Sequence, residues 1–198
     1  VGNKVSHLLL LRAKLKSEAE QSVGDIFSSL RNQKIRLFQK VILTYSAQTS
    51  DVYAYFYPKA PEELPQIDTD AFLADQAGAF SEVEISRLVI QDFIKGNADG
   101  ENALNRYVVE MDPESGWQEE LFAWYDQEHL PGLASVPGCI SATRCINLDH
   151  SPRSFAFYDL KNPEVLGCDA WLKVRGTTWS DRVRPYFTNV KRTMFNIV

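Results

Sequence analysis

Apolar and polar residues along this chain switch repeatedly between two periods. In "NRYVVEM", Asn105 to Met111, the alternation predicts a strand. "DPESG" follows as a turn, with Pro113 and Glu114 suited to opening a helix. From Trp117 the apolar positions Leu121, Trp124 and Tyr125 recur at helical spacing while Glu119, Glu120 and Asp126 fall elsewhere, which predicts an amphipathic helix. After "VPG" come strand-like "CISATRCI", the turn "LDHSPR" and a second strand, "SFAFYDL". Helical "PEVLGCDAWLKV", a further helical turn in "TTWSDRV" and a last strand in "FTNVKRTMFNIV" complete the half. The predicted order is β-α-β-β-α-β.

The N-terminal half shows the same order with different residues. "VSHLLLLRAKL" reads as a strand and "SEAEQSVGDIFSSL" as a helix with Ser17 and Glu20 spaced as a capping box. "KIRLFQKVILTY" and "DVYAYFY" read as strands, "DTDAFLADQ" as a helix and "EVEISRLVI" as a strand. Gly and Asn cluster in "KGNADGEN", which predicts a linker over residues 96–102 between units 1–95 and 103–198. Apolar runs such as Leu8 to Leu11 and Val41 to Leu43 suit strands covered on both faces. Helices can cover only one face of each four-stranded sheet, so the other must meet a second sheet. The expected class is α+β: two tandem ferredoxin-like βαββαβ repeats packed sheet to sheet as a barrel.

Composition excludes several functions. Of 198 residues, 44% are hydrophobic and 24% charged, as in folded soluble proteins, and the formal net charge of -5 leaves no basic stripe for nucleic acid. No apolar run nears the ~18 residues of a membrane span, since "HLLLLRA" breaks at Arg12. No signal peptide is evident, although the start at Val1 leaves a trimmed leader open. Cys139, Cys145 and Cys168 have neither CxxC nor zinc-ligand spacing, which suits buried, inert thiols in a cytoplasmic protein. His7, His129 and His150 lack metal-ligand spacing, so no metal is expected. No dinucleotide, P-loop or GxSxG motif is present, and no cofactor is expected.

The predicted order, with "WYDQEHLPGLASVPGCISATR", "PRSFAFYDLKNPEVL" and "TTWSDRVRPYF", resembles the dimeric α+β barrel superfamily, especially its EthD-like and related members. The resemblance is clearest over Asn105 to Val198; the first half matches by topology. It implies an intrachain version of the dimeric barrel and a small cofactor-independent enzyme. Polyketide cyclases, antibiotic monooxygenases, muconolactone isomerases and decarboxylase or dehydratase relatives share the fold, which does not select among them. It also implies that His129, at the end of the first helix of the second half, faces a cavity. The first half has "GDIFSSLRNQK" there, so one site per chain is expected.

On a helical wheel Glu128 lies near the centre of the stripe made by Trp117, Leu121 and Trp124, with His129 at its edge beside Tyr125 and Phe122. A carboxylate in an apolar face is costly unless paired or protonated. The competing reading is that Pro131 pushes Leu130 out of the helix and both side chains reach water. Neighbours on a helix do not face each other, so a partner for His129 must come from another segment. The expected catalytic set is His129 as acid or base, Tyr125 to orient or donate, and Glu128. Trp124, Phe122, Phe157 and Trp179 are candidate ligand-binding aromatics, each with an alternative core role. Arg144 and Arg184 are candidates for a substrate carboxylate or enolate, each with an ordinary surface reading; His7 and His150 read as a strand end and a turn.

The expected function is proton transfer on a small apolar carbonyl-containing or phenolic molecule, as in an isomerase, cyclase, dehydratase or decarboxylase. A cofactor-free monooxygenase is the enzymatic alternative, and a non-catalytic binding barrel or interaction scaffold the other. Neither nucleic acid nor membrane is expected as a partner, and a homodimer of such pseudo-dimers is left open.

Overall fold

A computed structural model describes residues 6–34, 36–60, 72 and 78–198. The chain divides into two compact units, one of residues 1–89 with 196–198, the other of residues 90–195. In the first, β1 (Ser6–Leu15) leads through a 3-10 turn (Ser17–Ser22) to α1 (Val23–Lys34), then β2 (Phe38–Ser46), β3 (Asp51–Pro58) and β4 (Phe80–Lys95), which runs on into the second. β3 lies between β1 and β2, antiparallel to both, with Leu9 opposite Phe56 and Val41 opposite the same residue. Leu9 and Leu11 pack with Phe27 and Leu30 of α1, while Leu8 and Leu10 on the other face are equally buried. Both faces are covered, as the continuous apolar run requires.

The expected capping box does not form. Ser17 Oγ donates to Glu18 Oε2 at 3.0 Å, and the residue before the 3-10 turn, Lys16, offers no side-chain cap. A 3-10 turn closes its backbone bonds one residue earlier than an α-helix, so the reciprocal spacing of the box is lost. The helix expected in "DTDAFLADQ" lies outside the described residues apart from the helical Phe72.

The second unit carries β5 (Asn105–Pro113), α2 (Gln118–Trp124), a π-helical turn (Tyr125–His129), α3 (Leu130–Ala134), β6 (Cys139–Asn147), β7 (Ser154–Leu160), α4 (Asp169–Arg175), α5 (Thr178–Val183) and β8 (Phe187–Ile197). β7 pairs antiparallel with β5 and β6, setting Tyr158 beside Tyr107 and Ala142. Within the first unit the strands follow one another in the order β1-β3-β2, and within the second in the order β8-β5-β7-β6. Among the described residues no helix is long and apolar enough to cross a membrane.

Strand alternation divides β5 and β7 into two chemically different faces. Tyr107, Val109, Met111, Ala156, Tyr158 and Leu160 join the core formed with the helices. On the opposite face Arg106 donates to Asp159 through Nε at 2.7 Å and NH2 at 2.9 Å, its guanidinium lies 4.8 Å from the Phe157 ring, and Ser141 Oγ donates to Asp159 at 3.2 Å. Phe157 is thereby packed under Arg106.

Pro131 does not stop the helix, contrary to the expectation from sequence. Leu130 is helical (φ -64°, ψ -51°) and α3 continues to Ala134. Proline cannot donate to the carbonyl four residues back, and its ring collides with that carbonyl in a regular helix. The turn before it is instead widened, with the Leu130 N–H bonded to the Tyr125 carbonyl five residues earlier. Gly132 then lets α3 approach α4, because a Cβ there would sit 2.8 Å from Val174 Cγ1. Gly132→Ala is therefore expected to cost about 1–3 kcal/mol by overpacking, read as a lower urea midpoint with unchanged m-value. A stability equal to wild type would show that the two helices separate freely.

Candidate functional site

The widened turn decides which side chains face inward. An extra residue in one helical turn rotates everything after it relative to a regular wheel. His129 is turned inward and is only 7% exposed, with its ring stacked on Trp124 at 4.0 Å and edge-on to Tyr125 at 5.6 Å. Glu128 moves from the expected centre of the stripe to its flank, where Thr177 Oγ1 donates to Oε1 at 2.5 Å. Its carboxylate is half-buried and hydrogen-bonded, which removes the cost expected from the wheel.

His129 faces a pocket between the helices and the sheet of the second unit. The innermost walls are buried side chains: Trp124, Tyr125 and Leu133 from the helical segment, Tyr158 from β7 and Trp171 from α4. Tyr107 and Val109 of β5 form the sheet side, with Phe187 of β8 closing one edge. Arg175 and Arg184, half-buried, and Arg192, exposed, line the outer part. The enclosed space is about 30 Å³, and about 360 Å³ with the mouth open to solvent included. The enclosed part holds a water or two, so a larger ligand would extend into the open mouth.

Three buried polar atoms at the inner end have no hydrogen-bond partner among the described residues: His129 Nδ1, Tyr158 Oη and Trp171 Nε1. Such groups are costly unless a ligand or water satisfies them. The hydrogen-bonding partner expected for His129 from another segment is not found among the described residues. Burial, followed by the positive charges of Arg175 and Arg184, lowers its pKa to about 3, so the imidazole is neutral near pH 7. Burial raises the pKa of Tyr107 and Tyr158 above the ordinary phenol value, and Tyr125 likewise. Both strand tyrosines are hydroxyl donors at neutral pH.

The depressed histidine pKa has a consequence for stability. Between pH 6.5 and about 3 the unfolded chain binds a proton that the folded chain refuses, so stability falls as pH falls, by at most about 1.4 kcal/mol per pH unit from this group. Above pH 6.5 the contribution is constant. Urea unfolding of wild type and His129→Gln at pH 7, 6, 5 and 4 should show the wild type losing stability more steeply; parallel curves would contradict a neutral, buried imidazole.

The remaining candidates lie elsewhere. Arg144 is 4% exposed and its NH2 is held by two carboxylates, Asp92 at 3.2 Å and Asp126 at 2.8 Å, while the guanidinium stacks over Phe122 at 4.7 Å. Trp179 donates to Glu120 at 2.8 Å and, with Glu128, lines a separate open cleft along Gly176–Thr178 and Arg182. Phe157 is on the Arg106 face of β7. The structure thus brings together His129, Tyr125, Trp124 and Arg184, and adds Tyr107, Tyr158, Trp171, Arg175 and Arg192. Alternation places Tyr107 and Tyr158 on one face each, but only strand pairing sets them side by side, their rings 6.4 Å apart. Among the described residues no cluster of His, Cys, Asp and Glu could hold a metal ion. Burial is the main cause of a Cys139 pKa near 12 and also raises that of Cys145, which keeps both as thiols.

No protein-family model matches the chain, and no curated protein matches it. Solved structures do. A proposed monooxygenase of Fusobacterium nucleatum superposes with a TM-score of 0.68 at 13% identity, over 99% of this chain and 94% of that one. An anthrone oxidase-like protein gives 0.66 at 12% identity, over 100% and 94%. A ferredoxin-fold protein of Listeria monocytogenes, related to antibiotic biosynthesis monooxygenases, gives 0.58 at 10% identity, over 98% and 96%. At these identities the likeness concerns the fold: the chain has the ferredoxin-like α+β barrel architecture of these structures.

Proposed function

We propose that the chain is a cofactor-independent enzyme in which His129 draws a proton from a small aromatic molecule bearing a carbonyl or phenol. The observation that carries this reading is the neutral, inward-facing imidazole whose Nδ1 is unpartnered beside two unpartnered donors, Tyr158 Oη and Trp171 Nε1. A ligand oxygen accepting from those donors becomes more negative as the proton leaves carbon or oxygen, and fixed donors stabilise that charge most in a site shielded from water. Trp124 holds the imidazole plane by stacking, and its own Nε1 is anchored to Ser180 Oγ at 3.2 Å. The Tyr125 ring meets the imidazole edge-on. Glu128 keeps a supporting role through Thr177, which also accepts the Ser180 N–H at the start of α5.

The resulting anion has two fates. Reprotonation or loss of a group gives isomerase, cyclase, dehydratase or decarboxylase chemistry. Reaction with dioxygen gives a monooxygenase: a CH2 flanked by aryl rings becomes a carbonyl, one oxygen atom entering the product and the other leaving as water with the two hydrogens. The names of two structural neighbours, a proposed monooxygenase and an anthrone oxidase-like protein, support the oxidative fate. We also read the two units as tandem ferredoxin-like repeats of the EthD-like branch, supported by their similar strand and helix order.

Anthrone in deuterated buffer tests both fates. Catalysed exchange at its acidic carbon, measured by NMR, supports deprotonation; equimolar oxygen uptake with carbonyl formation supports the oxidative fate. Exchange and uptake at the buffer rate across a panel of anthrones, phenols and aryl ketones would overturn the reading.

A further inference from the structure

The outer part of the His129 pocket contains three cations and no carboxylate to balance them. Arg175, Arg184 and Arg192 converge there from α4, the turn before β8 and β8 itself, and none is within ion-pair distance of a carboxylate among the described residues. Arg184 NH1 reaches only the Arg175 backbone carbonyl, at 3.5 Å. Three other arginines of this unit are paired: Arg106 with Asp159, Arg144 with Asp92 and Asp126, and Arg182 with Glu120. Like charges gathered beside a low-dielectric pocket repel each other unless an anion joins them. The proximity is felt: burial, then Arg175 and Arg192, depress the Arg184 pKa, with Asp181 opposing.

We propose that Arg175, Arg184 and Arg192 bind the carboxylate of a small aromatic acid, leaving its ring and reacting end against Tyr158, Trp171 and His129. This rests on the function proposed above and narrows its substrate to an anion. Carboxylate is the chemistry favoured over a bare inorganic anion because the charged mouth is continuous with an aromatic interior, so charge and ring are recognised together. The same anion offsets the part of the His129 shift that comes from Arg175 and Arg184, the larger part from burial remaining, so its arrival moves the imidazole toward a stronger base when a substrate is present. The groups facing His129 are Tyr125 and Trp124 on its own segment, Arg175 and Trp171 on α4, Arg184, Arg192 on β8, and Tyr107 and Tyr158 on the sheet.

Isothermal titration of the full chain with benzoate and phenylacetate, against benzamide and phenylacetamide as uncharged isosteres and inorganic phosphate as an anion without a ring, tests the site. The acids are expected to bind at least tenfold more tightly than their amides and than phosphate, and to weaken with added salt. Arg184→Gln and Arg192→Gln are each expected to cost about tenfold in acid affinity while leaving amide affinity within threefold. Arg192 is exposed and unpaired, so its variant folds even where the other does not. His129→Gln should retain acid binding, which separates this proposal from the chemistry: acid binding with no turnover keeps the anion site and removes the proposed reaction. Equal affinity for acid and amide, an arginine-independent acid affinity, tighter binding of phosphate than of either acid, or no binding at millimolar acid would each overturn the anion site.

Discussion

Asp159→Ala lowers the unfolding free energy by about 3–5 kcal/mol, a loss as large as that of truncating a buried core tryptophan. The Arg106 side chain is 2% exposed and has both Nε and NH2 committed to the Asp159 carboxylate. Alanine leaves that guanidinium buried with a weakened set of acceptors, and Ser141 Oγ also loses the oxygen it donates to. Most of the penalty is the desolvated charge left behind, and only a smaller part is attraction lost. The double replacement Arg106→Met with Asp159→Leu should therefore recover most of the stability, because it removes both charges and keeps the volume. Urea unfolding with a common m-value measures both. A single variant within 1 kcal/mol of wild type would show that water reaches Arg106.

His129→Gln lowers turnover of the proton-transfer substrate by about 10²–10⁴-fold, the usual contribution of a positioned acid or base. Glutamine retains a polar, planar side chain against Trp124, so the helical turn should survive and near-ultraviolet circular dichroism should stay unchanged. Loss of kcat with little change in ligand affinity is the expected signature of a group acting mainly in the transition state. A variant with unchanged kcat would remove His129 from the chemistry and leave the pocket a binding site. Tyr158→Phe provides the contrast, since it removes one donor to the developing oxyanion and keeps the base; a loss of about 10²–10³-fold is expected. The two variants together separate proton removal from anion stabilisation.

Strand alternation in "NRYVVEM" and "SFAFYDL" and the apolar run Leu8 to Leu11 are local properties of the chain, and each reads out as the predicted strand. The position of His129 at the end of an aromatic helical stretch was also legible, whereas its inward orientation comes with the widened turn. Glu128 was misjudged because a wheel assumes 100° per residue, and one π-helical turn forced by Pro131 breaks that assumption over the residues that matter most. Arg144 shows a different limit. Its charge and strand position suggested an anion site, but Asp92 and Asp126 converge on it from 52 and 18 residues earlier in the chain.

By itself the sequence determined the order of the described strands and helices and the segment that carries the histidine, because propensity and periodicity are set by residues close along the chain. Only the tertiary structure decided that Tyr107 and Tyr158 stand side by side, that His129 is buried and neutral, and that Arg175, Arg184 and Arg192 share one unbalanced mouth. Those properties depend on desolvation and on charges brought together from α4 to β8. Both arise only when distant segments pack, so no local pattern encodes them.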